Sequence, residues 1–188
     1  MGILMSRPLL HVFVDNSNVL LEGRRFSEMK KKRRSKLGSF LDDRYEIDWG
    51  KFLYLLKESD TRVLAEVPIL YGSRPPANDS VWRRIREDGF DTKVFDRNIR
   101  NKKKGVDMEM GMDVAERLHT VSPPATIVIA AGDADYIPAV ARAQSKGWVV
   151  EVWFWSNAAG DLKKAANRFS LLDPHLEYLR LGGKIALP

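Results

Sequence analysis

Asp15 closes the apolar run Leu9-Leu10-His11-Val12-Phe13-Val14, and Asp133 and Asp135 follow a second run, Thr126-Ile127-Val128-Ile129-Ala130-Ala131-Gly132. Asp107 opens a segment of helical pattern behind Lys102-Lys103-Lys104-Gly105. Runs of this kind are the signature of buried parallel strands, whose carboxyl ends carry the ligands of open α/β sheets. Carboxylates gathered at such an edge, with basic runs beside them, point to metal-assisted chemistry on phosphate.

Helical phase sharpens this for Asp107. At 100° per residue, Met110, Gly111, Val114 and Leu118 fall within about 60° of it, so Asp107 shares the apolar, sheet-facing stripe. Asp113 lies at the edge of that stripe, while Glu109 and Glu116 point away. An inward carboxylate is costly unless it caps a helix, is paired or meets a cation. Two unit charges 4 Å apart repel by about 4 kcal/mol at an effective dielectric near 20, so a proton or a cation must join such a cluster. All-oxygen donors suit Mg2+ or Mn2+. Zinc is disfavoured, because the chain has no cysteine and His11, His119 and His175 are widely spaced. Capping remains the competing explanation for Asp15, Asp107 and the Asp133–Asp135 turn, and for Asp135 it serves equally well.

The elements that position these residues alternate along the chain. Strands are predicted over 8–15, 62–71, 90–95, 126–131 and 148–155, with one or two short strands in the tail. Helices are predicted from 17 or 18 into the stretch around 30–40, then over 48–58, 78–88, 106–119, 136–146 and 160–167, with Ser156 and Asn157 as caps of the last. Gly89 and Gly147 stop two of them, and Ser122-Pro123-Pro124 breaks the chain. Trp153 and Trp155 share one face of the fifth strand and are assigned to the core. The alternation predicts an α/β fold: a three-layer Rossmann-like domain with a central, mainly parallel sheet and right-handed crossovers. Neither a dinucleotide-binding glycine motif nor a Walker loop is present.

One domain is expected over 1–188, with a basic insertion at about 24–39. Net charge is +6, but Arg24–Lys36 alone holds eight Lys/Arg against one Glu, leaving the rest of the chain near neutral. Such a strip can neutralise phosphates or act as a nuclear-import address. Candidate phosphate contacts are Arg24, Arg25, Lys30, Lys31, Lys32, Arg33 and Arg34 in the strip, Arg74 after the second strand, Arg97 and Arg100 after the third, and Lys102, Lys103 and Lys104 ahead of Asp107. No apolar stretch approaches the roughly 20 residues of a membrane span. The N-terminus matches the loose myristoylation pattern at Gly2, a match so short that it is read as coincidence or a cloning residue. The expectation is an intracellular protein, cytoplasmic, or nuclear in a eukaryote.

Three segments, Val14-Asp15-Asn16-Ser17-Asn18-Val19, Lys104-Gly105-Val106-Asp107-Met108 through Asp113, and Ala131-Gly132-Asp133-Ala134-Asp135-Tyr136-Ile137-Pro138, occur in an order and at intervals that resemble the NYN-domain family, a branch of the PIN-like ribonucleases. The resemblance covers about residues 9–172. It implies a PIN-like fold and a metal-dependent site for cleaving RNA, with Asp15, Asp107, Asp133 and Asp135 as its acidic residues, Asp113 as a fifth metal ligand and Asn18 beside Asp15. Two positions depart from the pattern. Ala131 stands where a serine is common, and Asn167 where an aspartate often precedes the aromatic residue. The reaction implied is hydrolysis of RNA phosphodiesters, endonucleolytic, with Mg2+ or Mn2+. A non-catalytic RNA-binding or scaffold domain of the same fold is the alternative. A haloacid-dehalogenase-like phosphatase is disfavoured, because Ser17 occupies its second aspartate position. A homodimer or a protein partner is compatible with the pattern and unassigned by it.

Overall fold

The computed structural model describes residues 9–74, 79–96 and 104–184. Its elements are β1 (Leu9–Asp15), α1 (Asn16–Lys31), α2 (Trp49–Leu56), β2 (Val63–Leu64), β3 (Ile69–Arg74), α3 (Ser80–Glu87), β4 (Asp91–Asp96), α4 (Lys104–Thr120), β5 (Thr126–Ala130), α5 (Ile137–Ser145, entered through a 3-10 turn at Ala134–Tyr136), β6 (Val149–Phe154), α6 (Gly160–Ala165) and β7 (Arg168–Leu171). The strands form one seven-stranded sheet in the order β4-β3-β1-β5-β6-β7, with β2 on β1. Every ladder among the described strands is parallel.

The topology reverses at β1. From there the chain works outward through β3 and β4, returns through α4, and continues on the other side through β5, β6 and β7. Asp15 ends β1 and Asp133 follows β5, and these two strands are paired from Leu10–Thr126 to Val14–Ala130. Both residues therefore stand at the switch point, where the diverging helices leave a crevice above the carboxyl edge.

Alternation along β1 divides the interior into two layers. Leu10, Val12 and Val14 pack with Phe26, Phe52, Trp82 and Trp155 beneath α1, α2 and α3. Phe13 faces the other way, into a layer with Met110, Val114, Tyr136, Val140 and Trp148 beneath α4 and α5. Trp153 and Trp155 are both buried in the first layer, as their strand position predicts.

Three expectations change in detail. The predicted strand 62–71 is two strands on the same edge of β1, β2 against Leu9–Leu10 and β3 against Phe13–Asp15. Pro68 lies in the gap and has no N–H to offer the ladder. The helix expected from Tyr136 starts only at Ile137, after the 3-10 turn. Ser156 and Asn157 do not cap the last helix, whose N-cap is Ala159 without a side-chain bond. Ser156 instead donates its N–H to Asp173 at 2.8 Å, and Asn157 reaches Glu22 at 2.6 Å.

The chain joins the two sides of the sheet with a buried ion pair. Arg62, just ahead of β2, donates two hydrogen bonds of 2.9 Å to the carboxylate of Glu151 on β6, and each residue is 6% exposed. Removing Arg62 leaves the buried Glu151 with the weaker approaches of Arg168 at 3.8 Å and the Trp153 indole at 3.4 Å, and breaking such a buried pair costs about 3–5 kcal/mol. Arg62→Met is thus expected to lower the urea-unfolding free energy by that amount. The pair Arg62→Met with Glu151→Leu is expected to recover most of it, and a double variant as unstable as the single would contradict this account.

Candidate functional site

Asp15 is the last residue of β1 and the N-cap of α1, its Oδ1 accepting from the Asn18 amide at 3.0 Å. The cap directs α1 away from the carboxyl edge, so that Asn18, Leu21, Glu22 and Arg25 line one face of an open cavity of about 320 Å3. Asp15, Ser17, Ser73, Val106, Asp107, Gly132, Asp133, Phe154 and Asn157 complete its lining. The main carboxylates inferred from the sequence thus meet here, apart from Asp135.

Asn18 holds two motifs together. Its Nδ2 donates to Asp133 at 2.6 Å, and its Oδ1 accepts from the Gly132 amide at 2.9 Å. Gly132 is required for the approach: a Cβ there would lie 2.1 Å from the ring of Phe154. Asp133 is the residue before the 3-10 turn yet makes no capping bond with its side chain, which leaves the carboxylate facing the cavity.

Tyr136, which the sequence reading did not single out, supplies the second clamp. Its hydroxyl lies 3.1 Å from Asp15 Oδ2 and 3.1 Å from Asp107 Oδ1. A tyrosine at a predicted helix start reads as core, and the ring is indeed 2% exposed. Only the convergence of β1, α4 and the turn after β5 gives its hydroxyl two carboxylates. Burial, with the charges of Asp15 and Asp107, pushes the phenol far above its ordinary range, so it stays a proton donor.

Burial is also the largest influence on Asp15, pushing its carboxyl up to about 6. The bonds from Asn18 and Tyr136 oppose that rise, while the nearby charges of Asp107 and Asp133 add to it. Asp107 lies in the first turn of α4 and is half-buried, with Val106, Met110 and Val114 buried around it, as the phase of the helix requires.

Two acidic residues fall elsewhere. Asp113 is bonded to the hydroxyl of Tyr71 and to Lys93 at 2.8 Å, and does not line the cavity. Six residues from Asp107 turn it about 120° around the helix and carry it about 9 Å along the axis. Asp135 is exposed and lines a separate groove between α4 and α5, because the 3-10 turn that brings Tyr136 inward sends Asp135 outward.

Of the basic candidates, Arg25 lines the cavity, where Nη1 donates to Glu22 at 2.6 Å. Arg24 donates to the Tyr45 carbonyl at 3.1 Å, Lys30 pairs with Glu177 at 3.3 Å and Lys31 with Asp42 at 3.6 Å. Lys32, Arg33 and Arg34 are exposed beyond the end of α1. Arg74 ends β3 and Lys104 opens α4. Arg97, Arg100, Lys102 and Lys103 lie outside the described residues.

Among the described residues, no three acidic or histidine side chains stand close enough to enclose an ion as they are placed. The donor chemistry nonetheless fits a hard divalent cation. Asp15, Asp107 and Asp133 offer carboxylate oxygens to one polar cavity, and Asp15, raised mainly by burial, is raised further by the charges of the other two.

The raised carboxyl fixes a sign. Asp15 binds its proton more tightly folded than unfolded, so its contribution to stability is fullest below pH 4 and is lost as pH rises through about 6. Asp15→Asn removes the titration while keeping an acceptor for the Asn18 amide. In chelator, the variant is expected to gain on the wild type by about 2–3 kcal/mol between pH 4 and 7. Parallel pH–stability curves for the two proteins would refute it.

The NYN domain model matches residues 10–173. A crystal structure of a protein of unknown function from Vibrio parahaemolyticus is similar with a TM-score of 0.64 at 18% identity, over 92% of this chain and 96% of that one, a likeness of fold. No curated protein matches the chain. The span matched by the family model contains Asp15, Asn18, Asp107 and Asp133 along with nearly the whole sheet, and the chain belongs to the NYN domain family.

Proposed function

We propose that this protein is a divalent-metal-dependent ribonuclease that hydrolyses phosphodiester bonds within RNA at the switch-point cavity. The observation that carries the reading is the meeting of Asp15, Asp107 and Asp133 on one cavity, with Asp15 buried and its carboxyl pushed up to about 6. Three carboxylates drawn together at this cost are suited to a site whose working state includes a cation. Asp15, Asp107 and Asp133 would hold Mg2+ or Mn2+, which supplies positive charge against phosphoryl oxygens and acidifies water.

The remaining roles belong to the chain's own groups. Tyr136 and the Asn18 amide fix both oxygens of Asp15, while the Asn18 side chain fixes Asp133 and the strand end behind it. Arg25 stands on the cavity wall as a contact for a phosphate, and Ser17 and Asn157 offer hydrogen bonds to a sugar or base edge. Lys32, Arg33, Arg34, Arg74 and Lys104 extend the phosphate contacts, which give affinity and salt dependence rather than sequence choice. Asp113 and Asp135 act at most indirectly, since neither lines the cavity.

One observation favours the non-catalytic RNA-binding reading. The Tyr136 hydroxyl already bonds Asp15 and Asp107, so part of their charge is compensated without an ion. Labelled RNAs with Mg2+, Mn2+ or chelator separate the two. The nuclease reading expects cleavage with Mn2+, none in chelator, and a loss of about 100-fold or more in Asp15→Asn. It also expects Mn2+ to raise the melting temperature of the wild type and to leave that of Asp15→Asn nearly unchanged. RNA bound but uncut under every ion would support the binding domain instead.

A further inference from the structure

Helices α4 and α5 pack side by side on one face of the sheet. Their outward crease is a groove of about 270 Å3, whose lining includes Gly111, Ala115, Asp135, Pro138, Ala139 and Arg142. Beside it on α4 stand Met108 and Met112, 63% and 61% exposed. Single exposed apolar residues are ordinary, but these two are one turn apart, and Met108 sits three residues before Gly111 and Met112 three before Ala115, on the same side of the helix. The space above Gly111 is open: a Cβ there would meet nothing within 4 Å.

The groove is lined by two opposite charges, Asp135 and Arg142, that the fold does not use. Asp135 and Arg142 have no ion pair or side-chain hydrogen bond among the described residues. They lie seven residues apart on the same groove, and midway between them are Pro138 and Ala139, which also line it. That pattern is self-complementary. A second α5 laid antiparallel across the first, about a two-fold axis over Pro138–Ala139, sets Asp135 of each copy against Arg142 of the other. A two-fold contact demands this reciprocity, each residue meeting the one that meets it. Methionine is unbranched and fits irregular gaps, so Met108 and Met112 of one copy can fill the notch left by Gly111 and Ala115 of the other.

We propose that this face binds a second copy of the chain, forming an isologous dimer through α4 and α5. Its charges cancel across the groove, which does not suit a polyanion, and their mirror arrangement suits an identical partner. The carboxylate cavity shares no lining residue with the groove, so both copies keep their cavities open. The inference is independent of the chemistry proposed for that cavity.

Sedimentation equilibrium of the full chain across the micromolar range tests it. The mass is expected to move from 21.4 kDa toward twice that value with concentration. Asp135→Arg and Arg142→Asp, each with an unchanged circular dichroism spectrum, are expected to raise the dissociation constant about tenfold or more, since each sets like charges together twice. The double exchange is expected to restore it to within about threefold of the wild type. Ala139→Glu, which places a charge on the axis, is expected to leave a folded monomer. A wild type that stays monomeric overturns the proposal. So does a dimer unmoved by either reversal, or a double exchange no tighter than its parents.

Discussion

Asp15 is 4% exposed at the end of the central strand, where an ionised carboxylate loses most of its hydration and faces the charges of Asp107 and Asp133. The surrounding structure is organised around that constraint. The Asn18 amide at the start of α1 and the Tyr136 hydroxyl, delivered by the turn after β5, come from two separated parts of the chain, and each reduces the cost of the charge. The Asn18 side chain then ties Asp133 and the Gly132 amide to the same helix turn. One buried charge therefore couples the end of β1, the start of α1 and the exit of β5.

The topology explains why this coupling occurs at β1. A strand with parallel neighbours on both sides and helices diverging above it leaves its carboxyl end in a crevice rather than under a helix. The loops from β1 and β5 open into that crevice, and α4 drops its first turn into it from the third direction. Close approach depends on small residues: Gly132 admits Phe154, and Gly23 lets α1 pass where a Cβ would lie 2.9 Å from Trp155 and Tyr45. Trp155, just beyond β6, then donates to the Val19 carbonyl at 2.8 Å, fastening the first turn of α1 to the end of that strand. The helix that Asp15 caps is thus fixed at its start by both the cap and this bond.

Most of this frame is legible in the sequence, because strand runs and helical phase are local signals. The apolar runs locate β1 and β5, and the 3.6-residue period turns Asp107 inward before any contact is known. What escapes the reading depends on convergence. Tyr136 looks like core until two carboxylates arrive beside its hydroxyl. Asp135 and Asp113 share spacing with the site residues, but one 3-10 turn and 120° of helix carry them elsewhere. Asn167, one of the two departures from the family pattern, has structural partners of its own. Its Oδ1 accepts from the Val150 amide at 2.8 Å and from Gln144 at 3.0 Å, an edge-strand bond that a sequence pattern does not reveal.

The distribution of charge argues for how a polyanion would meet such a site. Among the described residues, the cavity lining contains four carboxylates, Asp15, Glu22, Asp107 and Asp133, against the one guanidinium of Arg25. Three of the strip's basic residues are spoken for, Arg24 by a carbonyl and Lys30 and Lys31 by Glu177 and Asp42. The exposed charge of Lys32, Arg33 and Arg34 begins about 10 Å along α1 from Arg25. That separation is about one Debye length in physiological salt, so the strip can attract a phosphate backbone without neutralising the cavity. The two tasks are divided. On the proposed reading, the distant lysines and arginines would draw the polymer in, while the carboxylates at the switch point would repel a bare phosphate and admit it only in company with positive charge. Such a cavity would couple substrate entry to cation binding, with the buried Asp15, its carboxyl raised by burial, as the group on which that coupling turns.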